Sequence, residues 1–358
     1  MKVIAFYLPQ FHTIPENDEW WGKGFTDWVN VRKAHPLFHG HCQPREPLGR
    51  NYYDLSDPDT LRWQSQLASK YHVHGFCFYH YWFGGKLLLQ KPAELLLANK
   101  DIRLPFCFSW ANEPWARTWD GKAHHILINQ VYGNREDWEK HFRYLLPFFQ
   151  DDRYIIEDGR PMFLIYKSQS IPCINEMMEC WEQMAIQSGF KGMHFVETLR
   201  TQHRDPRALP FRARVEFEPA RAQWHQSPLR LNWDRVRRKV VRIINNLCHT
   251  NIPHNKPMPF NEIADLSLNA LSPKGTYGGV FMGWDNTPRK GLSGNIITSP
   301  TKQEFEAFLQ SKIKITKEKY GTDYIFVNAW NEWAEGTFLE PTEDMKFQYL
   351  EAIEEVTT

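Results

Sequence analysis

Eight short apolar runs, rich in β-branched and aromatic residues, are spread along the 358-residue chain, and most of the gaps between them are long enough for a helix. The runs are Val3–Leu8, Gly75–Tyr81, Pro105–Trp110, Pro161–Tyr166, Gly192–Glu197, Arg214–Glu218, Gly279–Trp284 and Tyr324–Trp330. Runs this continuously apolar indicate strands buried on both faces, as parallel strands covered by helices are. The gaps read as helices over Pro58–Tyr71, Arg135–Phe149, Asn175–Ser188 and Lys302–Tyr320, the first opening on Asp57 as N-cap with Pro58 at N1. Strands alternating with helices over this length predict a (β/α)8 TIM barrel with extended βα loops, in a single catalytic domain over residues 1–358. The stretch 200–261, rich in Arg, Pro and His, reads as an irregular basic insertion with one helix near Asn232–Leu247.

Polar and aromatic residues gather just after the apolar runs: Pro9-Gln10-Phe11-His12, His80-Tyr81-Trp82, Trp110-Ala111-Asn112-Glu113, Trp284-Asp285-Asn286 and Asn331-Glu332-Trp333. Barrel enzymes keep their chemistry at these strand C-termini. A doubly wound sheet would concentrate it at one switch point, whereas here nearly every strand contributes.

Composition narrows the function. Lys+Arg 43 against Asp+Glu 42 leaves a formal net charge of +1, so no global field points to nucleic acid. The 15 tryptophans exceed what a core needs, and flat apolar rings with a polar edge suit the C–H faces of sugars; packing at the barrel ends is the competing use. Six cysteines (Cys42, Cys77, Cys107, Cys173, Cys180, Cys248) form no CxxC pair and call for no disulfide. The first apolar run is too short for a secretory signal, and no apolar stretch reaches membrane-spanning length, which makes the cytoplasm the expected compartment.

Cleaving a glycosidic bond takes a proton for the leaving oxygen and a second group to manage positive charge at the anomeric carbon, hence two carboxyls. Glu332 and Glu335 lie three residues apart just past an apolar strand, between tryptophans able to desolvate one of them. A salt-bridged pair on a surface loop has the same spacing; the strand-end context favours catalysis. Glu113, Asp120, Asp285, Glu197 and Glu218 also end or follow strands and read as groups that orient neighbours or sugar hydroxyls.

No metal or cofactor is expected. Asp57-Pro58-Asp59 imitates a DxD motif but fits a helix start better, and His39/His41 and His72/His74 lack an obvious third ligand. No GxGxxG follows a strand and no P-loop lysine is present. Between Arg200 and Arg242 twelve Arg/Lys face four acids, an arrangement open to a solvated helix face, a sugar diphosphate or anionic lipid at the membrane surface.

Seven motifs in order, Phe6–His12, Trp21–Trp28, His80–Phe83, Trp110–Glu113, Trp119–Gly121, Trp284–Arg289 and Asn328–Gly336, make the chain resemble WbsX-type proteins over nearly its whole length. These proteins are encoded in lipopolysaccharide and surface-polysaccharide gene clusters and are related to the endo-α-mannosidases of glycoside hydrolase family 99. The resemblance implies a (β/α)8 barrel. It also implies that Glu332 is a base on a sugar 2-hydroxyl, which attacks the anomeric carbon to form a 1,2-anhydro sugar, and that Glu335 is acid and then base. Ala334 departs from the pattern, standing where the mannosidases tend to have His. The expected activity is retaining hydrolysis or transglycosylation of a bacterial surface glycan or its lipid-linked precursor. Glycosyltransfer in O-antigen or capsule biosynthesis is the alternative, and a non-catalytic carbohydrate-binding barrel a third. The expected substrate-binding residues are Tyr7, Gln10, Trp28, His80, Tyr81, Trp82, Trp110, Asn112, Glu113, Trp119, Asp120, Tyr166, Trp284, Asp285, Asn286, Asn331 and Trp333.

Overall fold

The computed structural model describes residues 1–116, 126–201, 205–207 and 209–358. Eight strands run parallel: β1 (Lys2–Tyr7), β2 (Val73–Phe83), β3 (Phe106–Trp110), β4 (Arg160–Ile165), β5 (His194–Leu199), β6 (Ala213–Glu216), β7 (Thr276–Phe281) and β8 (Tyr324–Asn328). Each pairs with its sequence neighbours, and β8 returns to β1, with Ala5 opposite Val327 on one side and Phe76 on the other. The sheet is therefore closed, and the fold is the (β/α)8 barrel that the eight runs predict.

The runs overshoot β7 and β8 for one reason. β7 stops at Phe281, and Gly283, at φ +98°, turns the chain so that Trp284–Asp285 starts a hairpin with Ile296–Ile297. β8 stops at Asn328, and the apolar Ala329 and Trp330 belong to the loop beyond. The continuation is apolar because it stays buried, so hydrophobicity does not mark the strand end.

Among the helices are α1 (Asp27–Lys33), α2 (Pro58–Lys70), α3 (Lys91–Ala98), α4 (Arg135–Phe149), α5 (Ile174–Gln187), α6 (Pro228–Cys248), α7 (Phe260–Asn269), α8 (Lys302–Ile315) and α9 (Gln348–Thr357). Local chemistry sets their starts: Asp57 caps α2 ahead of Pro58, and reciprocal capping boxes, Asn134 with Asp137 and Thr301 with Glu304, open α4 and α8. Within the basic stretch 200–261 the structure places the sixth strand as β6 and the expected helix as the longer, 21-residue α6, and α7 begins at its end.

Aromatic side chains fill the barrel: the Phe6 ring lies 5.7 Å from Tyr79, 5.2 Å from Phe217 and 5.5 Å from Phe326. At Gly279 a Cβ would come within 2.1 Å of the Glu216 carbonyl oxygen, so β6 and β7 approach this closely only because the position is glycine. Behind them Lys312 of α8 donates to Glu216 at 2.8 Å, both side chains fully buried, and Tyr320 adds a second donor at 2.8 Å. This pair fastens helix to barrel.

Candidate active site

The chain leaves β8 through Asn331–Glu332, which pairs antiparallel with Thr337–Phe338, and Trp333–Glu335 forms the tight turn between them. Gly336 closes that turn at φ +63°, where a Cβ would lie 2.8 Å from the Asp285 backbone nitrogen. Only glycine fits, and the fit presses the turn against the loop after β7.

Three groups beneath the turn fix its position. Asn331 accepts from the Leu8 amide at 2.8 Å and donates to the Leu8 carbonyl at 3.0 Å, tying the turn to the end of β1. Trp333 stacks on Phe338 at 3.9 Å and packs against Trp28. Its Nε1–H donates at 2.6 Å to Glu340, a buried carboxylate that also accepts from Trp330, Gln64 and Tyr53. Burial outweighs these donors and pushes the Glu340 carboxyl up to about 7.

Glu332 and Glu335 then face one cleft of about 250 Å3 at the C-terminal end of the barrel. Its wall includes Gln10, Tyr79, Tyr81, Glu113, Trp115, Tyr166, Phe217, Trp284 and Arg289. Arg289, itself buried, lies 2.6 Å from Glu335, 3.5 Å from Glu332 and 2.7 Å from Asp27 of α1. Burial works against its charge, but the three carboxylates more than compensate and hold it protonated. Burial, followed by repulsion from Glu335, drives the Glu332 carboxyl well above the ordinary range despite the nearby guanidinium. Two acids and one buried cation thus meet in the cleft, with the carboxyl of Glu332 raised by its burial. That is the electrostatic arrangement acid–base chemistry uses.

The residues expected to bind substrate divide by the face they occupy. Gln10, Tyr81, Glu113, Tyr166 and Trp284 line the cleft. Both polar side-chain atoms of Gln10 are buried without a hydrogen-bond partner, leaving a donor and an acceptor for a ligand. Burial alone would raise the Glu113 carboxyl, but Arg200 and Lys167, at 3.1 and 3.0 Å, hold it ionised below its usual range.

Tyr7, His80, Trp82 and Trp110 turn away from the cleft, since successive side chains on a strand point to opposite faces. Tyr7 donates to Gln64 of α2, His80 meets His141 of α4 at 2.8 Å, and Trp82 stacks on His141 at 4.3 Å. Trp110 donates to the Trp82 carbonyl, and burial lowers the His80 imidazole to about 3. Trp28, Asn331 and Trp333 sit beneath the Trp333–Glu335 turn, as described. Asn112 bridges to the Lys167 backbone in both directions, at 2.8 and 2.9 Å. Asp285 accepts from His41, Gln43 and Thr287; these bonds overcome burial and lower its carboxyl, while Asn286 accepts from the Asn295 amide. These residues shape the loops that build the cleft wall. Trp119 and Asp120 lie outside the described residues. The competing acids Glu197 and Glu218 are engaged elsewhere, Glu197 with Arg214 and Glu218 with Ser267 and the Ala222 amide.

Sequence reasoning missed Arg289 and Asp27 as site residues although both stand in motifs it singled out, and it missed Tyr79, Trp115 and Phe217 in the wall.

Comparison with known proteins bears on the family and the fold. The chain is 35% identical over 359 residues to an uncharacterized protein, WxcX, in two strains of Xanthomonas campestris pv. campestris; the match covers 99% of this chain and 49% of WxcX. The chain thus spans about half the length of the curated relatives it matches. Among solved structures, a GH99 endo-α-mannosidase from Bacteroides thetaiotaomicron superposes with a TM-score of 0.59 at 15% identity, covering 99% of this chain and 95% of that one. A glycoside hydrolase-like protein superposes equally well, TM-score 0.59 at 11% identity, over 99% and 93% of the two chains. At such identities these likenesses concern the fold. The family described as Glycosyltransferase WbsX matches residues 3–353. The chain belongs to the WbsX glycosyltransferase family.

Proposed function

We propose that this barrel, acting as one catalytic domain, breaks and remakes glycosidic bonds of a bacterial surface glycan or its lipid-linked precursor, with retention at the anomeric carbon. The observation that carries the reading is that Glu332 and Glu335 face the same aromatic-walled cleft and share the buried Arg289.

In this reading Glu332 takes the proton from the sugar 2-hydroxyl as O2 closes on C1, and Glu335 gives its proton to the departing oxygen as the C1–O bond breaks. The product is a 1,2-anhydro sugar. Glu335, now a carboxylate, deprotonates the incoming hydroxyl, which opens the ring at C1, and the proton on Glu332 returns to O2. A sugar hydroxyl is a far weaker acid than a carboxylic acid, so a base of raised pKa matches it better than an ordinary carboxylate. Tyr81 and Trp284 supply faces for the sugar, and Gln10 and Glu113 supply hydrogen bonds.

Water as the incoming group gives hydrolysis, and a held sugar hydroxyl gives transfer. The family's description as glycosyltransferases favours the second as a physiological outcome, with the same two carboxylates. Digestion of a panel of defined α-linked oligosaccharides and surface polysaccharide, read by mass spectrometry, tests the reading. Cleavage or chain exchange that Glu332→Gln and Glu335→Gln each remove supports it; saturable binding of a nucleoside diphosphate sugar with no action on any glycan refutes it.

A further inference from the structure

α6 differs from every other helix described here in how little of it is buried. Of its 21 residues only Val241 is buried. Yet the helix is far from polar: Leu229, Trp233, Val236, Val240, Ile243 and Leu247 recur at alternating steps of four and three residues, which aligns them in one stripe down the helix. All six are exposed, Leu229 by 84%, Leu247 by 75% and Trp233 by 70%. A stripe this long on a water-facing surface marks a binding face.

The two edges of the stripe differ. On one side the helix is docked: Arg237 donates to the His254 carbonyl at 2.6 Å, and residues 254–258 bond in turn to Leu292, Ser293, Gly294 and Ile296. Those partners belong to the loop after β7 that carries Trp284 and Arg289, so α6 is attached at the cleft end of the barrel. Along the other edge, at the same four- and three-residue steps, stand the exposed cations Arg235, Lys239 and Arg242. The one acid on the helix, Asp234, faces Arg230.

These observations choose among occupants. The alternating steps would also suit a seam with a second copy of α6, but that pairing would set one cationic row beside another with no acid to receive it. A bilayer rich in anionic phospholipid satisfies both features, taking the apolar stripe and Trp233 into the headgroup–acyl boundary and the cationic row onto the phosphates. Among the described residues no helix is long and apolar enough to cross a membrane, so α6 would lie in the plane of the surface.

We infer that α6 is an in-plane membrane anchor that binds anionic phospholipid and brings the cleft to the bilayer surface. This deepens the proposed action on a lipid-linked glycan, but lipid binding is measured without any glycan and stands or falls separately.

The test is sedimentation of the full chain with vesicles of phosphatidylcholine mixed with phosphatidylglycerol, and with vesicles of phosphatidylcholine alone. The expected result is binding to the anionic vesicles, weakened about tenfold or more by Trp233→Ser with Leu247→Ser, and likewise by Arg235→Gln, Lys239→Gln and Arg242→Gln together. All these positions are exposed, so both variants should fold and keep activity on soluble oligosaccharides. No sedimentation with anionic vesicles overturns the inference. So does equal binding to both lipid mixtures, or a dimer in sedimentation velocity that Trp233→Ser dissolves.

Discussion

Nη1 of Arg289 lies 2.6 Å from Oε1 of Glu335, and the same guanidinium serves Asp27 and Glu332. One cation therefore compensates three acids, two of which, Asp27 and Glu332, are buried with it. Replacing it with Met leaves those charges without a partner, and loss of one member of a buried ion pair typically costs about 3–5 kcal/mol. Denaturant unfolding of Arg289→Met should show a loss of that order, partly recovered when Asp27→Asn is added. A variant as stable as the wild type would contradict this role for Arg289.

The pH dependence of turnover has a defined sign. If Glu332 is the base it must be ionised, so kcat/KM should rise with pH through a value well above the ordinary 4.5 of a glutamate. Asp27 helps to raise that value by repulsion, and it also draws on Arg289. Asp27→Asn relieves both effects, so the acid limb of the kcat/KM profile should move to lower pH. An unmoved limb, or one displaced upward, argues against Glu332 as the base.

Glu340 gives a stability prediction. Its folded value of about 7 exceeds the ordinary 4.5, so its favourable contribution is complete below about pH 4.5 and is lost as the pH rises through about 7. The difference corresponds to about 3 kcal/mol. Glu340→Gln has no proton to lose, and its unfolding free energy should fall less than that of the wild type between about pH 5 and 8. Parallel falls in the two proteins would rule out Glu340 as the titrating group.

The barrel was legible in the sequence because strands buried on both faces are written as continuous apolar runs, as Ile325-Phe326-Val327 are. The same property hid the interior of the site. Tyr79 and Tyr81 face the cleft while His80 and Trp82 face α4, but with both faces buried the apolar pattern carries no phase, and the two sets look alike in sequence. Asp27 and Arg289 are 262 positions apart and meet only through folding. Both stand in motifs that the sequence singles out, but nothing local names the partner of either. The apolar spacing in α6 is likewise visible in sequence, whereas its exposure is decided by which edge of the helix docks on residues 253–255.

Trp284 is half-buried at the cleft wall, an apolar face with no structural load comparable to that of Trp333. Trp284→Ala should raise KM for a glycan substrate by about tenfold while changing kcat little, the pattern of an interaction made equally in ground and transition states. A fall in kcat with unchanged KM would instead place Trp284 among groups that act only in the transition state.

The most direct test of the catalytic assignment is the stereochemistry of the first product. Proton NMR during digestion of a defined α-linked oligosaccharide should show the retained α anomer appearing first with the wild type. Glu332→Gln and Glu335→Gln should each reduce its rate by about 10²-fold or more at unchanged fold. A β anomer appearing first, or full turnover in either variant, would contradict the account.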